Sequence, residues 1–271
     1  MGYLGKFMVK ASLSLGHPTY AYVRPIKPSN DSSRLELLKE FEAMGLTIFQ
    51  GELDEHEKLV AALKQVDVVI STLPIPQLLE QFKIINAIKD VGNIKRFIPS
   101  EFGNDPARES TLAPFEAIHE DRRTIRRATE AAEIPHTYVC GNTFGSYFVS
   151  YLLNPHEERD EVVVYGTGEA KVVMNYEQDI ATYTIKAATD PRAANNTITC
   201  RPKETLYLTL PHADNVRASI AHDIFVVGQV YEFTENNLEA SKLYPEYKYT
   251  SIDSFLDICL VDPPKPKLAA L

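Results

Sequence analysis

The residues best suited to chemistry fall within the stretch 94–142. Four arginines, Arg122, Arg123, Arg126 and Arg127, sit in the segment FEAIHEDRRTIRRATEAAE, whose pattern is strongly helical. One face of such a helix can bring a fixed positive charge to a ligand, because a guanidinium stays charged wherever it is placed. Ahead of it, IKRFIPSEFG reads as a buried strand ending in Ser100-Glu101-Phe102; behind it, IPHTYVCGN reads as a second strand ending in Gly141-Asn142-Thr143. Strand, helix, strand is a βαβ unit, so the two strands are expected to be parallel neighbours in one sheet. Ligands in such sheets bind beyond the carboxyl ends of the strands. A second pattern stands at the start of the chain, where Gly2 and Gly5 are three residues apart. Glycines at a helix start let a phosphate approach the backbone N–H groups, although the same spacing also fits a helix that simply begins with glycine.

The elements that must position these residues alternate. Leu4, Phe7, Met8 and Ala11 recur at helical spacing, which predicts a helix over Gly2–Leu15 with Gly16 as its stop. HPTYAYVRP is rich in aromatic and β-branched residues and reads as a strand with Arg24 at its end. SSRLELLKEFEAMG reads as a helix, LTIFQGEL as a strand, EHEKLVAALKQV as a helix, VDVVISTLP as a strand and PQLLEQFKIINAIKDVG as a helix. Beyond Tyr147 the pattern loosens into two strands around Gly166-Thr167-Gly168, a helix, the strand NNTITCRP and the segment NNLEASKLYPEYKYTSIDSFLDICL, which ends with a helix. Alternation of this kind predicts an α/β fold with a doubly wound parallel sheet. A nucleotide-binding fold opens with a strand and a glycine-rich turn, and here the sequence enters at the turn, so a Rossmann-like sheet with its first strand missing is expected. The expected organisation is a dinucleotide-binding domain over 1–150, a smaller C-terminal substrate lobe over 151–260 with elements interleaved into the first domain, and a disordered proline-rich tail over 261–271.

Composition narrows the function classes. The 271 residues include 28 Lys plus Arg against 37 Asp plus Glu, a net charge of −9. Nucleic-acid binding needs a dense basic face, so no nucleic-acid partner is expected. Cys140, Cys200 and Cys259 are widely spaced, which fits neither a disulfide framework nor a metal site. No membrane-spanning run or signal peptide is visible, and a reducing, cytoplasmic location is expected for a monomer or homodimer.

Several contiguous motifs carry a resemblance. VDVVISTL, NIKRFIPSEFG, IRRATEAAEIPHTYV, NYEQDIATYTIKAATDPRA and LEASKLYPEYKYT resemble the plant isoflavone-reductase-like group of atypical short-chain dehydrogenases, an NmrA-like family. Within it, GELDEHEKLV, APFEAI, SYFVSYLLNP, VVVYGTGEAKVVMNYEQDIATYTIK and VDPPKP are most similar to the eugenol and isoeugenol synthase branch. The resemblance covers nearly the whole chain and implies an NADPH-dependent oxidoreductase. That branch reduces coniferyl acetate to a phenylpropene: acetate leaves, a quinone methide forms, and hydride is added to the side chain. The other branches imply an alternative, a phenylcoumaran benzylic ether or pinoresinol/lariciresinol-type reductase. A non-catalytic dinucleotide-binding protein is a further alternative.

Position by position, the resemblance implies that Gly2, Tyr3, Leu4 and Gly5 form the pyrophosphate turn and that Arg24 meets the 2′-phosphate. Thr72, Leu73 and Pro74 match the loop beneath the adenine and ribose, and Ser100, Phe102, Asn142, Thr143 and Phe144 match the nicotinamide edge, with Arg126 on the cofactor side. Tyr147 and His222 match residues of the substrate pocket. The sequence departs from the family in three places. The first strand and first glycine are missing; Arg122 stands where the family has its catalytic Lys; and roughly two to three dozen residues are lacking after Arg201-Pro202, judged from connection lengths. The Tyr-xxx-Lys dyad of the superfamily occurs as Tyr244 and Lys248 in YPEYK, but Pro245 argues against the helix that would put both on one face.

Overall fold

A computed structural model describes residues 1–25, 32–107, 111–147, 172–201 and 237–266. Several expectations therefore lie outside the described residues: the Gly166-Thr167-Gly168 turn, His222, the boundary at 150 and the end of the tail. The chain forms two compact units. Unit 1 comprises Met1–Ser100, Ile125–Tyr138 and Ala181–Asn195; unit 2 comprises Glu101–Thr124, Val139–Ile180 and Asn196–Leu271.

Unit 1 follows the alternation read from the sequence. Its elements are α1 (Tyr3–Ser14), β1 (Thr19–Val23), α2 (Ser32–Ala43), β2 (Leu46–Gln50), α3 (His56–Leu63), β3 (Val68–Ile70), α4 (Gln81–Val91) and β4 (Arg96–Ile98). Gly16 and Gly92 take the left-handed conformations that stop α1 and α4, with φ of 78° and 72°. β1 and β2 pair in parallel from Thr19↔Leu46 to Val23↔Gln50, and β3 and β4 from Val68↔Arg96 to Ile70↔Ile98. The two ladders remain separate sheets among the described residues.

One boundary differs from expectation. The helix predicted to begin near Pro76 starts as a 3-10 turn over Ile75–Glu80, broken at Gln77, and becomes α-helical only at Gln81. Pro74 and Pro76 have no N–H, and Gln77 N–H bonds three residues back to the Pro74 carbonyl at 2.8 Å, which tightens the turn. The core of unit 1 is aliphatic: Leu59, Leu63, Ile84, Ile85, Ile88, Ile94, Phe97, Ile125 and Ile134 pack together, with Leu73 and Val69 against them.

α5 (Phe115–Ala131) leads to β5 (Thr137–Cys140), then β6 (Thr143–Phe144), β7 (Met174–Asn175), α6 (Glu177–Thr189), β8 (Asn196–Thr199), β9 (Asn237–Glu239), α7 (Ala240–Leu243) and α8 (Ile252–Val261). The expected βαβ neighbourhood is present: Phe97 of β4 makes a parallel bridge to His136, and its N–H donates to the Pro135 carbonyl at 2.8 Å. β5, β8 and β9 follow one another in a sheet; β8 pairs in parallel with β9 and β6 with β7. α7 ends at Leu243, so Tyr244 and Lys248 do not share a helical face. No described helix is long and apolar enough to cross a membrane.

Candidate functional site

In unit 1 the candidate residues gather at the start of α1 and at the ends of β3 and β4. Gly2 is the extended residue that enters α1, and a Cβ on it would meet nothing within 4 Å. The space beside it is open to a ligand. Gly5 is the opposite case: a Cβ there would lie 3.1 Å from Thr72 Oγ1 and 3.2 Å from Met1 Cγ. Glycine at this position lets α1 approach the loop Thr72-Leu73-Pro74, so the structure brings these two predicted groups together. Tyr3 packs edge-on against Phe7 at 5.3 Å, with Lys6 Nζ 4.6 Å from its ring centre. Arg24 is exposed at the end of β1, and its carbonyl accepts from Arg34 Nη2 at 3.0 Å.

Ser100 is buried at the end of β4. Its hydroxyl donates to the Leu73 carbonyl at 2.7 Å and its N–H to Gln81 Oε1 at 2.7 Å. Gln81 is itself buried and donates to the Leu78 carbonyl at 3.1 Å. Sequence reasoning missed Gln81, since a polar residue at a helix start carries no signal that it ties two loops. Arg126 is buried, with its guanidinium 4.3 Å from the centre of the Tyr138 ring. Tyr138 in turn donates to Glu130 Oε1 at 3.0 Å.

In unit 2 the candidates surround the ends of the chain segments 101–107 and 139–147. Phe102 and Asn142 are both buried and both left-handed, with φ of 40° and 54°. Non-glycine residues held there are strained, and such strain concentrates at functional sites. Asn142 N–H donates to the Gly103 carbonyl at 3.1 Å, and its Nδ2 donates to the Cys200 carbonyl at 2.7 Å. A Cβ on Gly141 would meet the Phe102 carbonyl at 2.5 Å, so only glycine allows the two strand ends to approach this closely. Asn175, on β7, donates to the Gly141 carbonyl at 2.7 Å and the Cys200 carbonyl at 3.1 Å. Gly141 was read only as part of a strand end, and Asn175 was not singled out.

Thr143 N–H donates to the Val173 carbonyl at 3.1 Å and leads into Phe144, whose ring lies 6.1 Å from that of Tyr147. Burial, then the nearby Glu177 carboxylate, pushes the Tyr147 phenol up to about 12. Glu177 is fully buried and accepts from the Ser146 hydroxyl at 2.6 Å and the Ser146 N–H at 3.2 Å. Tyr147 is thus a hydrogen-bonding group at neutral pH rather than a base.

Arg122 is buried on α5, and its guanidinium nitrogens occupy the space 2.8 and 2.9 Å from where a Cβ on Gly103 would be. One turn earlier, His119 is 2% exposed and lies edge-on to Phe115 at 4.6 Å. Burial first, and the Arg122 charge second, lower His119 from 6.5 to about 4, so its ring is neutral at pH 7. The neighbouring Arg123 is held instead by Glu116 and Glu120 and donates to the Pro106 carbonyl at 2.8 Å. Unit 2 therefore brings a buried guanidinium and a neutral imidazole together on one face of α5, with the carboxylates of Glu116 and Asp105 near enough to act on the imidazole.

A family model, the NmrA-like family, matches residues 1–211 of this sequence. The chain belongs to the NmrA-like family. Isoeugenol synthase 1 of Petunia hybrida is 52% identical over 302 residues, spanning 99% of this chain and 94% of that protein. Isoeugenol synthase 1 of Clarkia breweri is 48% identical over 99% of this chain and 96% of its own length. A phenylcoumaran benzylic ether reductase of Ginkgo biloba is 41% identical over 94% of this chain and 95% of its own. Among solved structures, one from the set of pinoresinol-lariciresinol and phenylcoumaran benzylic ether reductases superposes with a TM-score of 0.85 at 38% identity, covering 95% of this chain and 96% of the other. A leucoanthocyanidin reductase–NADPH complex from Vitis vinifera superposes with a TM-score of 0.81 at 30% identity, over 92% and 93% of the two chains. The Petunia alignment runs over 302 positions against 271 residues here, so this chain lacks residues that its relative carries within the aligned span.

Proposed function

We propose that this NmrA-like family member is an NADPH-dependent phenylpropene synthase that reduces coniferyl acetate to isoeugenol or eugenol. The observation that carries the reading is the near-full-length similarity to two isoeugenol synthases, at 52% and 48% identity. The residues present suit the cofactor. Open space beside Gly2, the close approach of Gly5 to Thr72 and an exposed guanidinium at the end of β1 are what a phosphate-rich dinucleotide requires. In this reading Gly2, Tyr3, Leu4 and Gly5 hold the pyrophosphate at the start of α1, and Arg24 pairs with the 2′-phosphate. Thr72, Leu73 and Pro74 support the adenosine, while Ser100, Phe102, Asn142, Thr143 and Phe144 hold the nicotinamide edge. When bound, the cofactor supplies the hydride that replaces acetate on the substrate side chain. Tyr147 and Arg122 act on the substrate. Loss of acetate requires an electron-rich ring, which the phenolate form provides, and Arg122 stabilises that negative charge. Arg122 cannot serve as a proton acceptor, since its guanidinium has no lone pair to offer near neutral pH.

The test is product formation from coniferyl acetate and NADPH by the purified chain. An isoeugenol or eugenol product supports the reading; turnover of phenylcoumaran or pinoresinol ethers without it favours the second reading, which rests on the reductase relatives. NADPH binding without turnover of any of these substrates defeats both. Two variants sharpen the assignment. Arg24→Ala weakens NADPH far more than NADH, and equal losses for the two would remove Arg24 from the 2′-phosphate. Arg122→Lys adds a group able to accept a proton and raises kcat by at least about tenfold; an unchanged kcat would count against a role for this position in proton transfer.

A further inference from the structure

We propose that His119 is a positioning residue for the phenolic oxygen of the aromatic substrate, an uncharged hydrogen-bond partner standing beside the charge of Arg122. The inference rests on the reading that the substrate is a phenylpropanoid. It starts from an unsatisfied group. His119 is 2% exposed, and neither Nδ1 nor Nε2 has a hydrogen-bond partner. Buried polar atoms are nearly always paired, and leaving one unpaired costs about 1–3 kcal/mol. An imidazole kept at that cost within a helix is explained by a partner that arrives from outside the chain.

The surroundings specify the partner. The ring is clamped edge-on by Phe115, an apolar wall that fits an aromatic ligand. His119 and Arg122 are three residues apart, so they share one face of α5. Arg122 is set in place over Gly103, where any side chain would push the guanidinium away. The charges that act on His119 are Arg122 and Arg123 on one side and Glu116 and Asp105 on the other. With burial, they leave a neutral ring bearing one N–H donor and one bare nitrogen acceptor. A phenol oxygen complements both forms: it can donate to the bare nitrogen or, as phenolate, accept from the N–H by a change of tautomer. His119 does not take up the phenol proton, because a group titrating at about 4 cannot hold a proton against a phenol of about 10. That proton passes to solvent, and the phenolate oxygen is left between the Arg122 guanidinium and the His119 N–H. A methyl ether at the same carbon can neither donate nor ionise, so the site selects free phenols over O-methylated rings.

The experiment uses the full chain with NADP+ and two non-reacting probes, vanillin and its methyl ether, 3,4-dimethoxybenzaldehyde. Calorimetry gives the two affinities, and phenolate absorbance gives the ionisation of bound vanillin. Vanillin is expected to bind at least about tenfold more tightly than the ether and to ionise at lower pH when bound. His119→Phe removes the preference for phenol and leaves part of the ionisation shift, which Arg122→Met removes. His119→Gln, which keeps a donor and an acceptor, retains the preference and guards against a misfolded Phe variant. A preference unchanged in His119→Phe, or no preference in the unaltered chain, overturns the proposal. Turnover of coniferyl acetate plays no part in these readings. A chain that fails to reduce it yet shows the His119-dependent preference defeats the proposed function alone, and a chain that turns it over without that preference defeats this inference alone.

Discussion

The two units are held together by different physics. In unit 1 the largest fully buried side chains are Tyr183, Phe41, Phe97, Leu78, Ile98, Ile125 and Gln81, and most of the packing around α3, α4 and β4 is non-directional burial of apolar surface. In unit 2 every one of the four buried carboxylates among the described residues is found: Glu101, Asp105, Glu177 and Asp179. His119, Arg122, Asn142 and Asn175 are buried there as well. A buried polar group stabilises a fold only through specific partners, so unit 2, with its four buried carboxylates, depends more on hydrogen-bond geometry, whereas unit 1 confines directional contacts to groups such as Arg96, which donates to Thr137 Oγ1 at 2.7 Å, and rests chiefly on shape and volume. A change of side-chain volume is therefore the sensitive substitution in the aliphatic cluster of unit 1, and loss of a hydrogen-bonding group the sensitive one around Asp179 in unit 2.

The largest expected effect tests the directional side of that contrast. Asp179 accepts from Tyr247 OH at 2.7 Å, the Thr250 N–H at 3.0 Å and Thr250 Oγ1 at 3.1 Å. Asp179→Ala removes the acceptor of all three bonds and is expected to cost about 3 kcal/mol, read from denaturant unfolding. A cost below about 1 kcal/mol would mean that water replaces the carboxylate and the network is not structural.

An effect of similar size is expected from acid. His119 titrates at about 4 in the folded chain against 6.5 when unfolded. Its folded value is depressed, so the unfolded chain binds the proton more readily; the contribution is complete above pH 6.5 and is lost as pH falls toward 4. The loss amounts to about 3 kcal/mol. Unfolding at pH 7 and at pH 4.5 measures it, and His119→Gln, carrying no titrating ring, should flatten the slope in that window. A slope unaltered by the substitution would place the acid sensitivity elsewhere. Asp179 works in the opposite sense: burial raises its carboxyl above 3.8, so its share of stability is greatest below that value and declines as pH rises through the raised one.

The smallest effect belongs to unit 1. Ile88→Val removes one methylene from the aliphatic cluster and is expected to cost about 1 kcal/mol. Losses well above 2 kcal/mol would show that unit 1 is also held by close-fitting contacts, and the contrast between the units would shrink.

Much of unit 1 was legible in the sequence because its signals are local. Leu4, Phe7, Met8 and Ala11 declare a helix by spacing alone, Gly16 and Gly92 end helices by a conformation that glycine adopts freely, and apolar strand runs declare burial. The places of Gly5, Thr72, Ser100, Asn142 and Arg122 at segment ends and on α5 followed from the same patterns together with the family resemblance. What the sequence could not disclose depends on residues distant along the chain. Asp179 is bound by Tyr247 and Thr250, 68 and 71 positions away. Gln81 secures Ser100 across 19 residues, and Asn175 ties to Gly141 across 34. No local periodicity encodes such pairs. His119 is the sharpest case: its position on a helix was plain from spacing, yet its burial, its neutrality and its lack of a partner arise only when Phe115, Arg122 and the folded chain enclose it. Burial and charge are properties of the enclosing volume, and only the tertiary structure creates that volume.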